Sequence, residues 1–260
     1  MTIRLVVGPC RSGTGAFLRA FENNPCVDKV LYQPIKSALR DTGHPRYDFI
    51  DNNDDALTVA KDTIGIGAGG YPIVEATYSV FRNANDLDKA RYVFLFRNPL
   101  YSYSSDHHKF NVDLESFLIG YRSAYEQAIA AKALSPHVSI LTLEQLGTHP
   151  QEMFEIVCSK WNLPYVDNMI HWNLPAGTKL FVSSRESERL KRELSPSLEG
   201  LKGKQFSYIP RPLHQLQLTQ EEETRITQNM LPLFQEIQIL ATADFPLKQH
   251  IANENKYAHF

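Results

Sequence analysis

The sequence has few cysteines and no arrangement of them that would build a site. Its 260 residues include three cysteines, Cys10, Cys26 and Cys158, and no CxxC spacing. An odd count without that spacing excludes a disulfide framework and a cysteine-rich zinc site, and it suits a reducing compartment. A chain of this length also buries enough apolar surface to fold without disulfides or a structural metal.

The sequence also lacks a strong net charge and a long hydrophobic run. The formal net charge is -2, so no general basic field is available for nucleic acid or for an anionic membrane. The apolar run at 5–7 is too short for a signal peptide, and the run at 92–96 has only the length of a strand. We therefore expect a cytoplasmic protein with no nucleic-acid or membrane partner, in which any anion site is local.

Apolar runs and helical periodicities alternate along the chain. The pattern predicts strands at 3–7, 29–32, 73–78, 92–96 and 138–143, and helices at 13–23, 56–63, 114–129, 150–161, from Ser183 and from Thr219, with a kink at Pro232. The polar stretch 37–55 is predicted to be a long loop. Alternation of this kind favours an α/β fold, with a parallel β-sheet flanked by helices, and we expect residues 1–260 to form a single domain.

The first strand–helix unit carries a glycine-rich loop, Gly8-Pro9-Cys10-Arg11-Ser12-Gly13-Thr14-Gly15. Backbone N–H groups at such a turn, together with the helix N-terminus, form a cradle for an anion. The spacing of Gly8 and Gly13 fits the frame of a nucleoside-triphosphate loop, but Thr14 stands where that loop has its lysine. The cation here is Arg11, earlier in the loop.

A second motif follows the clearest strand. Residues 92–96 (YVFLF) precede Arg97-Asn98-Pro99, and a serine, Ser105, lies eight residues after the arginine. The guanidinium of Arg97 is permanently charged and can donate two parallel hydrogen bonds. Together with the hydroxyl of Ser105 at the carboxyl end of a strand, it is suited to binding a phosphate group.

Together, these two segments resemble the nucleotide-binding motifs of sulfotransferases. That family uses the donor PAPS (3′-phosphoadenosine 5′-phosphosulfate), and the resemblance implies a P-loop-containing, sulfotransferase-like fold that needs no metal. It also implies that Arg11, Ser12, Gly13, Thr14 and Gly15 hold the 5′-phosphosulfate. Arg97 and Ser105 would then bind the 3′-phosphate, and the product would be PAP, the desulfated nucleotide.

Other positions depart from the family pattern. Ala16 stands where cytosolic members have the tryptophan that stacks on adenine. We still expect Ala16 at the cofactor, but its contact with the adenine must differ from that of a tryptophan. The C-terminal nucleotide segment of the family is matched weakly by Lys202, Gly203 and Lys204, and Arg211 is another candidate phosphate partner.

The reaction that the resemblance implies moves a sulfuryl group from PAPS to a hydroxyl or amine of a small-molecule acceptor. It requires a base that takes the proton of that hydroxyl or amine. Counting back from Arg97 to the position of the histidine base in the family reaches Glu75, which is predicted on a strand. The rival bases are His44, in the polar loop, and His107 and His108, which follow Ser105 and whose alternative role is packing against the cofactor helix. The lysine that accompanies the base in the family is absent, and Lys36 is the candidate to replace it beside the leaving group.

The sequence leaves the acceptor open. Several aromatic and acidic residues lie between the two motifs, among them Tyr47, Tyr78 and Asp51. They either line a pocket for a cationic or aromatic small molecule or make packing and surface contacts with no role in binding. Tailoring of a natural product and a homodimer are both compatible with the sequence. Two alternative functions also remain, an ATP-dependent kinase-like phosphotransferase and a non-catalytic nucleotide-binding module.

Overall fold

A parallel sheet organises the molecule. The computed structural model describes residues 3–51, 55–66, 72–175, 177–181, 206 and 208–247. Within these ranges the strands are β1 (Ile3–Pro9), β2 (Lys29–Tyr32), β3 (Thr58–Ile64), β4 (Ala90–Phe96), β5 (Val138–Thr142) and β6 (Leu180–Phe181). Their order is β5-β4-β1-β3-β2-β6, and each neighbouring pair is parallel. The carboxyl ends of the central strands therefore meet at one edge, where open α/β sheets bind ligands.

Helices connect the strands and cover the sheet. They are α1 (Thr14–Glu22), α2 (Pro34–Thr42), α3 (Asp48–Asp51), α4 (Pro72–Thr77), α5 (Ala84–Lys89), α6 (Pro99–Phe110), α7 (Leu114–Leu134), α8 (Leu143–Thr148), α9 (Pro150–Trp161), α10 (Gln220–Asn229) and α11 (Leu231–Asp244). The predicted class, an α/β protein with a parallel sheet flanked by helices, is confirmed.

The core has two parts, one on each face of the sheet. Because side chains alternate along a strand, Leu5 and Val7 of β1 enter one part and Val6 enters the other. Helix α7 packs in the first part and helices α1 and α9 in the second, where the rings of Phe21 and Trp161 lie 4.7 Å apart. Burial on both faces explains why the central strands read as continuous apolar runs.

Two of the predicted elements have the wrong type. Residues 56–63, predicted as a helix, contain most of β3, which lies between β1 and β2 in the sheet. The polar residues Lys61, Asp62 and Thr63 of β3 are buried near its carboxyl end, and they hide the pattern of a central strand. Residues 73–78, predicted as a strand, lie mostly in α4, a short helix that packs against α7.

Two other segments are more regular than the sequence indicated. The predicted loop 37–55 contains most of α2 and all of α3. The helix predicted from Thr219 is divided at Met230, with Pro232 in the first turn of α11, where its missing N–H costs nothing. The helix predicted from Ser183 lies outside the described residues.

The end of β1 comes unusually close to β4. A Cβ atom placed on Gly8 would lie 2.1 Å from the carbonyl oxygen of Leu95 and 2.6 Å from Oγ of Ser12. The first partner is backbone within the sheet, so it cannot move aside. Only glycine allows the glycine-rich loop to leave β1 at this distance from β4.

We predict that Gly8→Ala lowers the free energy of unfolding by about 2 kcal/mol or more, because the added methyl overpacks a rigid sheet. Gly15→Ala is the matched control, since its Cβ meets nothing within 4 Å and alanine favours the helix. Urea denaturation of the two variants is the measurement. Equal stability of both would contradict the close approach at Gly8.

Candidate nucleotide and active site

The loop between β1 and α1 has the backbone form of an anion site. Arg11 has φ 64° and Gly13 has φ 95°, so both adopt left-handed conformations. Such turns direct successive N–H groups toward a common point. Gly13 is the N-cap of α1, and no side chain caps that helix, so the amides of its first turn are available to a ligand.

Arg11 joins this loop to helix α6. Its Nε donates a hydrogen bond to Oγ of Ser105 over 2.9 Å, and its guanidinium lies 5.9 Å from the centre of the Phe110 ring. Both partners lie on α6, which begins just after β4. The two motifs recognised in the sequence are therefore in direct contact, although the bonded residues are 94 positions apart.

Arg97 follows β4 and reaches both the loop and the C-terminal part of the chain. It donates from Nη1 to the carbonyl oxygen of Arg11 at 3.4 Å, and from Nε to the hydroxyl of Tyr208 at 3.1 Å. Its guanidinium carbon lies 5.6 Å from the ring centre of Tyr101 and 5.0 Å from that of Tyr208. The two rings hold the charged fork in place. Sequence reasoning missed Tyr208 because no local pattern predicts a contact across 111 positions.

The residues after Arg97 explain the turn into α6. The side chain of Asn98 accepts a hydrogen bond from the amide of Leu100 and caps the helix, while Pro99 occupies its first turn. The amide of Asn98 donates to Oε1 of Glu144 at 3.0 Å. Burial raises the pKa of the Glu144 carboxyl. These contacts fix the direction in which Arg97 and Ser105 project.

Arg11 of the loop and Arg97 and Ser105 of the second motif line one cleft of about 480 Å³, whereas Ser12, Gly13, Thr14 and Gly15 are not among its lining residues. Its lining includes Arg11, Arg97, Tyr101, Ser105, Lys109 and Arg211. Burial and the neighbouring Arg11 lower the pKa of Lys109. The cleft concentrates cations in a chain whose net charge is -2, so its local field favours a ligand with several anionic groups.

Lys36 is buried beside the glycine-rich loop. Its Nζ lies 3.9 Å from Sγ of Cys10 and 3.5 Å from Oγ1 of Thr63, and it donates to the carbonyl oxygen of Gly65. These partners belong to the carboxyl ends of β1 and β3, as expected for a lysine that follows β2. The structure thus places an ammonium group close to the end of β1 from which the loop begins.

Glu75 is the counter-ion of two cations. Nε and Nη2 of Arg40 donate to its two carboxylate oxygens at 2.6 and 2.7 Å, and Nζ of Lys36 lies 3.5 Å from Oε2. Its side chain is completely buried. A base must reach the proton that it removes. The bidentate pairing therefore favours a supporting role for Glu75, as the group that holds Lys36, over the predicted role of base.

Asp62 fixes the beginning of α2. Its Oδ2 accepts hydrogen bonds from the amides of Ile35 at 2.8 Å and Lys36 at 3.4 Å, and its Oδ1 accepts one from the hydroxyl of Tyr78. Burial raises the pKa of the Asp62 carboxyl and that of Tyr78. Sequence reasoning missed Asp62 because its segment was predicted as a helix.

Other predicted site residues lie elsewhere. His44 is exposed on the turn after α2, where its amide donates to Oγ1 of Thr42. Ala16 is half-buried in the first turn of α1 and packs against the core. The segment 202–204 lies outside the described residues. The roles of these residues remain predictions.

The residues considered for an acceptor pocket make structural contacts. The hydroxyl of Tyr47 donates to the carbonyl oxygen of Ser79. Asp51 pairs with Arg82 and Lys89 at 2.7 and 2.6 Å on the surface. Tyr78, as described, binds Asp62 in the core. These contacts agree with the alternative that this group serves the core and the surface.

Among known proteins, the chain is similar only to proteins of solved structure. No family model and no curated protein matches the chain. A mouse sulfotransferase, SULT7A1, solved with PAP, is 13% identical with a TM-score of 0.49, covering 93% of this chain and 85% of its own. The sulfotransferase domain from the curacin biosynthetic pathway is 11% identical with a TM-score of 0.43, covering 88% and 97%. Retinol dehydratase, solved with retinol and PAP, is 13% identical with a TM-score of 0.41, covering 95% and 83%.

None of the helices that the structure describes is both long and apolar enough to span a bilayer. In the same part of the chain, no group of three or more His, Cys, Asp or Glu side chains is gathered as a metal site.

We predict that Glu75→Gln lowers the free energy of unfolding by about 3 to 5 kcal/mol, because it leaves Arg40 and Lys36 buried without their counter-ion. Glu115→Gln is the matched control, since Glu115 and its partner Arg225 are exposed and such pairs contribute about 1 kcal/mol or less. Denaturant unfolding measures both. A loss at Glu75 no larger than that at Glu115 would show that the buried cations do not depend on it.

Proposed function

We propose that this chain transfers the sulfuryl group of PAPS to a hydroxyl or amine of a small-molecule acceptor, and releases PAP. The observation that carries the proposal is the meeting of two separate anion motifs in one cleft. Arg11 of the loop donates to Ser105, and Arg97 donates to the backbone of Arg11. A ligand with phosphate groups at two positions, as in PAP, matches two anion sites held at a fixed separation.

The residues present suit the donor nucleotide. In this proposal the loop amides and Arg11 bind the 5′-phosphosulfate, and Arg97 with Ser105 binds the 3′-phosphate. The hydroxyl of Ser12 is buried and has no hydrogen-bond partner among the described groups, so it is available to an anion in the loop. Tyr101 and Tyr208 flank Arg97 and supply aromatic faces in a site that lacks the tryptophan of related enzymes.

The same groups stabilise the charge that forms during transfer. When the bond between sulfur and the bridging oxygen breaks, negative charge develops on the 5′-phosphate, and fixed cations lower the energy of that state. In this proposal Arg11 and Lys36 are those cations, and Glu75, which Arg40 anchors, pairs with Lys36. These side chains supply the charge stabilisation without a metal ion.

We further propose that the protein acts in the cytoplasm as a single domain. Cys10, Cys26 and Cys158 are all free thiols, which suits a reducing compartment, and the described strands form one sheet. A small acceptor, including a natural product, suits a chain with low net charge.

The test is calorimetric titration of the wild type with PAP and with ATP–Mg²⁺. We expect PAP to bind more tightly, because the cleft offers a second phosphate site and the loop lacks the lysine of ATP-dependent enzymes. Arg97→Ala should weaken PAP binding by about 2 kcal/mol or more, since it removes a charge-assisted contact.

The matched control is Arg225→Ala, which removes an exposed arginine paired with Glu115. It should leave PAP affinity unchanged. Tighter binding of ATP–Mg²⁺, or PAP binding that ignores Arg97, would overturn the proposal in favour of a kinase-like phosphotransferase. Tight PAP binding with no turnover on any acceptor would favour a nucleotide-binding module.

A further inference from the structure

A tyrosine from the C-terminal part of the chain contacts the arginine of the second motif. Tyr208 is half-buried, whereas residues 209–215, which follow it, are all exposed, and the side chain of Ile209 is 87% exposed. The next buried residue is Leu216. A segment with so little apolar burial is held by specific contacts, and at Tyr208 these are the contacts of its ring and its hydroxyl.

A glycine of α8 makes room for this tyrosine. A Cβ atom placed on Gly147 would lie 2.6 Å from Cβ of Tyr208 and 3.0 Å from its Cδ1. A larger side chain at position 147 would therefore displace the ring. With glycine there, the ring centre of Tyr208 lies 5.0 Å from the guanidinium carbon of Arg97, and the tyrosine hydroxyl accepts a hydrogen bond from Nε at 3.1 Å. Tyr208 thus contacts Arg97 in two ways.

These contacts restrict the guanidinium and leave part of it for a ligand. Nε of Arg97 donates to Tyr208, and Nη1 donates to the carbonyl oxygen of Arg11. Nη2 has no hydrogen-bond partner in the described part of the chain, and Arg97 lines the cleft. A planar guanidinium with two of its nitrogens engaged presents the third in a defined direction, which suits a phosphate oxygen.

The group that restricts Arg97 is uncharged. A carboxylate in place of the Tyr208 hydroxyl would form an ion pair with Arg97 and compete with a phosphate for it. The hydroxyl accepts a hydrogen bond without neutralising the cation. The charge of Arg97 also acts on Glu144, but Oε1 of that carboxyl accepts the amide of Asn98. Arg97 is therefore oriented while its charge stays available to an anion.

We propose that Tyr208 is a positioning residue that sets the selectivity of the site for adenosine nucleotides with a 3′-phosphate. This inference rests on the proposed function, in which Arg97 and Ser105 bind that phosphate. Tyr208 acts through Arg97, because a guanidinium that is already oriented loses less conformational freedom on binding. Other groups hold the 5′-phosphate, so the contribution of Tyr208 should appear only with 3′-phosphorylated nucleotides.

Calorimetric titration with PAP and with AMP, directly or by displacement of PAP, tests the inference. AMP has the same adenosine and 5′-phosphate as PAP but no 3′-phosphate. Tyr208→Phe keeps the ring and removes the hydroxyl. Its Kd for PAP should rise about tenfold, as expected for the loss of one hydrogen bond to a charged group, while its Kd for AMP stays within about twofold of the wild type. The preference for PAP over AMP should fall accordingly.

The matched control is Tyr125→Phe, which removes a tyrosine hydroxyl that is bonded to Glu236 at the surface, outside the lining of the cleft. It should leave both Kd values unchanged. Gly147→Ala provides an independent variant, because it displaces the ring of Tyr208 while the hydroxyl remains. A Gly147→Ala protein that binds AMP as the wild type does should show the same loss of preference for PAP.

Three results would count against the inference. A Tyr208→Phe variant that keeps the wild-type preference would overturn the positioning role and leave the donor site intact. Equal weakening of PAP and AMP would also overturn it, since that result indicates a general structural role. If the wild type binds PAP no more tightly than AMP, the 3′-phosphate site of the proposed function fails, and the role of Tyr208 fails with it.

Discussion

The hydrogen bond from Arg11 to Ser105 is the contact on which the site depends. It joins the loop after β1 to the helix after β4, and so converts two sequence motifs into one cleft. The bond is possible because Gly8 lets β1 lie against the backbone of Leu95 before the loop begins. Glycine at position 8 thus permits the close approach of β1 and β4 from which the loop begins.

A second set of contacts controls the charge beside this cleft. Asp62 fixes the start of α2 and hence the position of Lys36, while Glu75 balances Lys36 and Arg40. Buried charges are stable only when paired, so these residues act as a unit.

The sequence predicted the parts of the molecule that are governed by local pattern. Alternating strands and helices led to the α/β class, and the segments around Arg11 and Arg97 led to the cleft. It failed at β3, where Lys61 and Asp62 interrupt the apolar pattern of a central strand, and at α4, where a segment that is apolar apart from Glu75 and Thr77 was predicted as a strand. Tyr208 lay beyond sequence reasoning because its contact with Arg97 is made by the fold.

The central claim is that the two motifs bind the two phosphates of one nucleotide. A crystal structure of the chain with PAP tests it most directly. The account predicts the 5′-phosphate against the amides of Ser12 to Gly15, and the 3′-phosphate within hydrogen-bonding distance of Arg97 and Ser105. PAP bound elsewhere, or with its 3′-phosphate turned away from Arg97 into solvent, would contradict it.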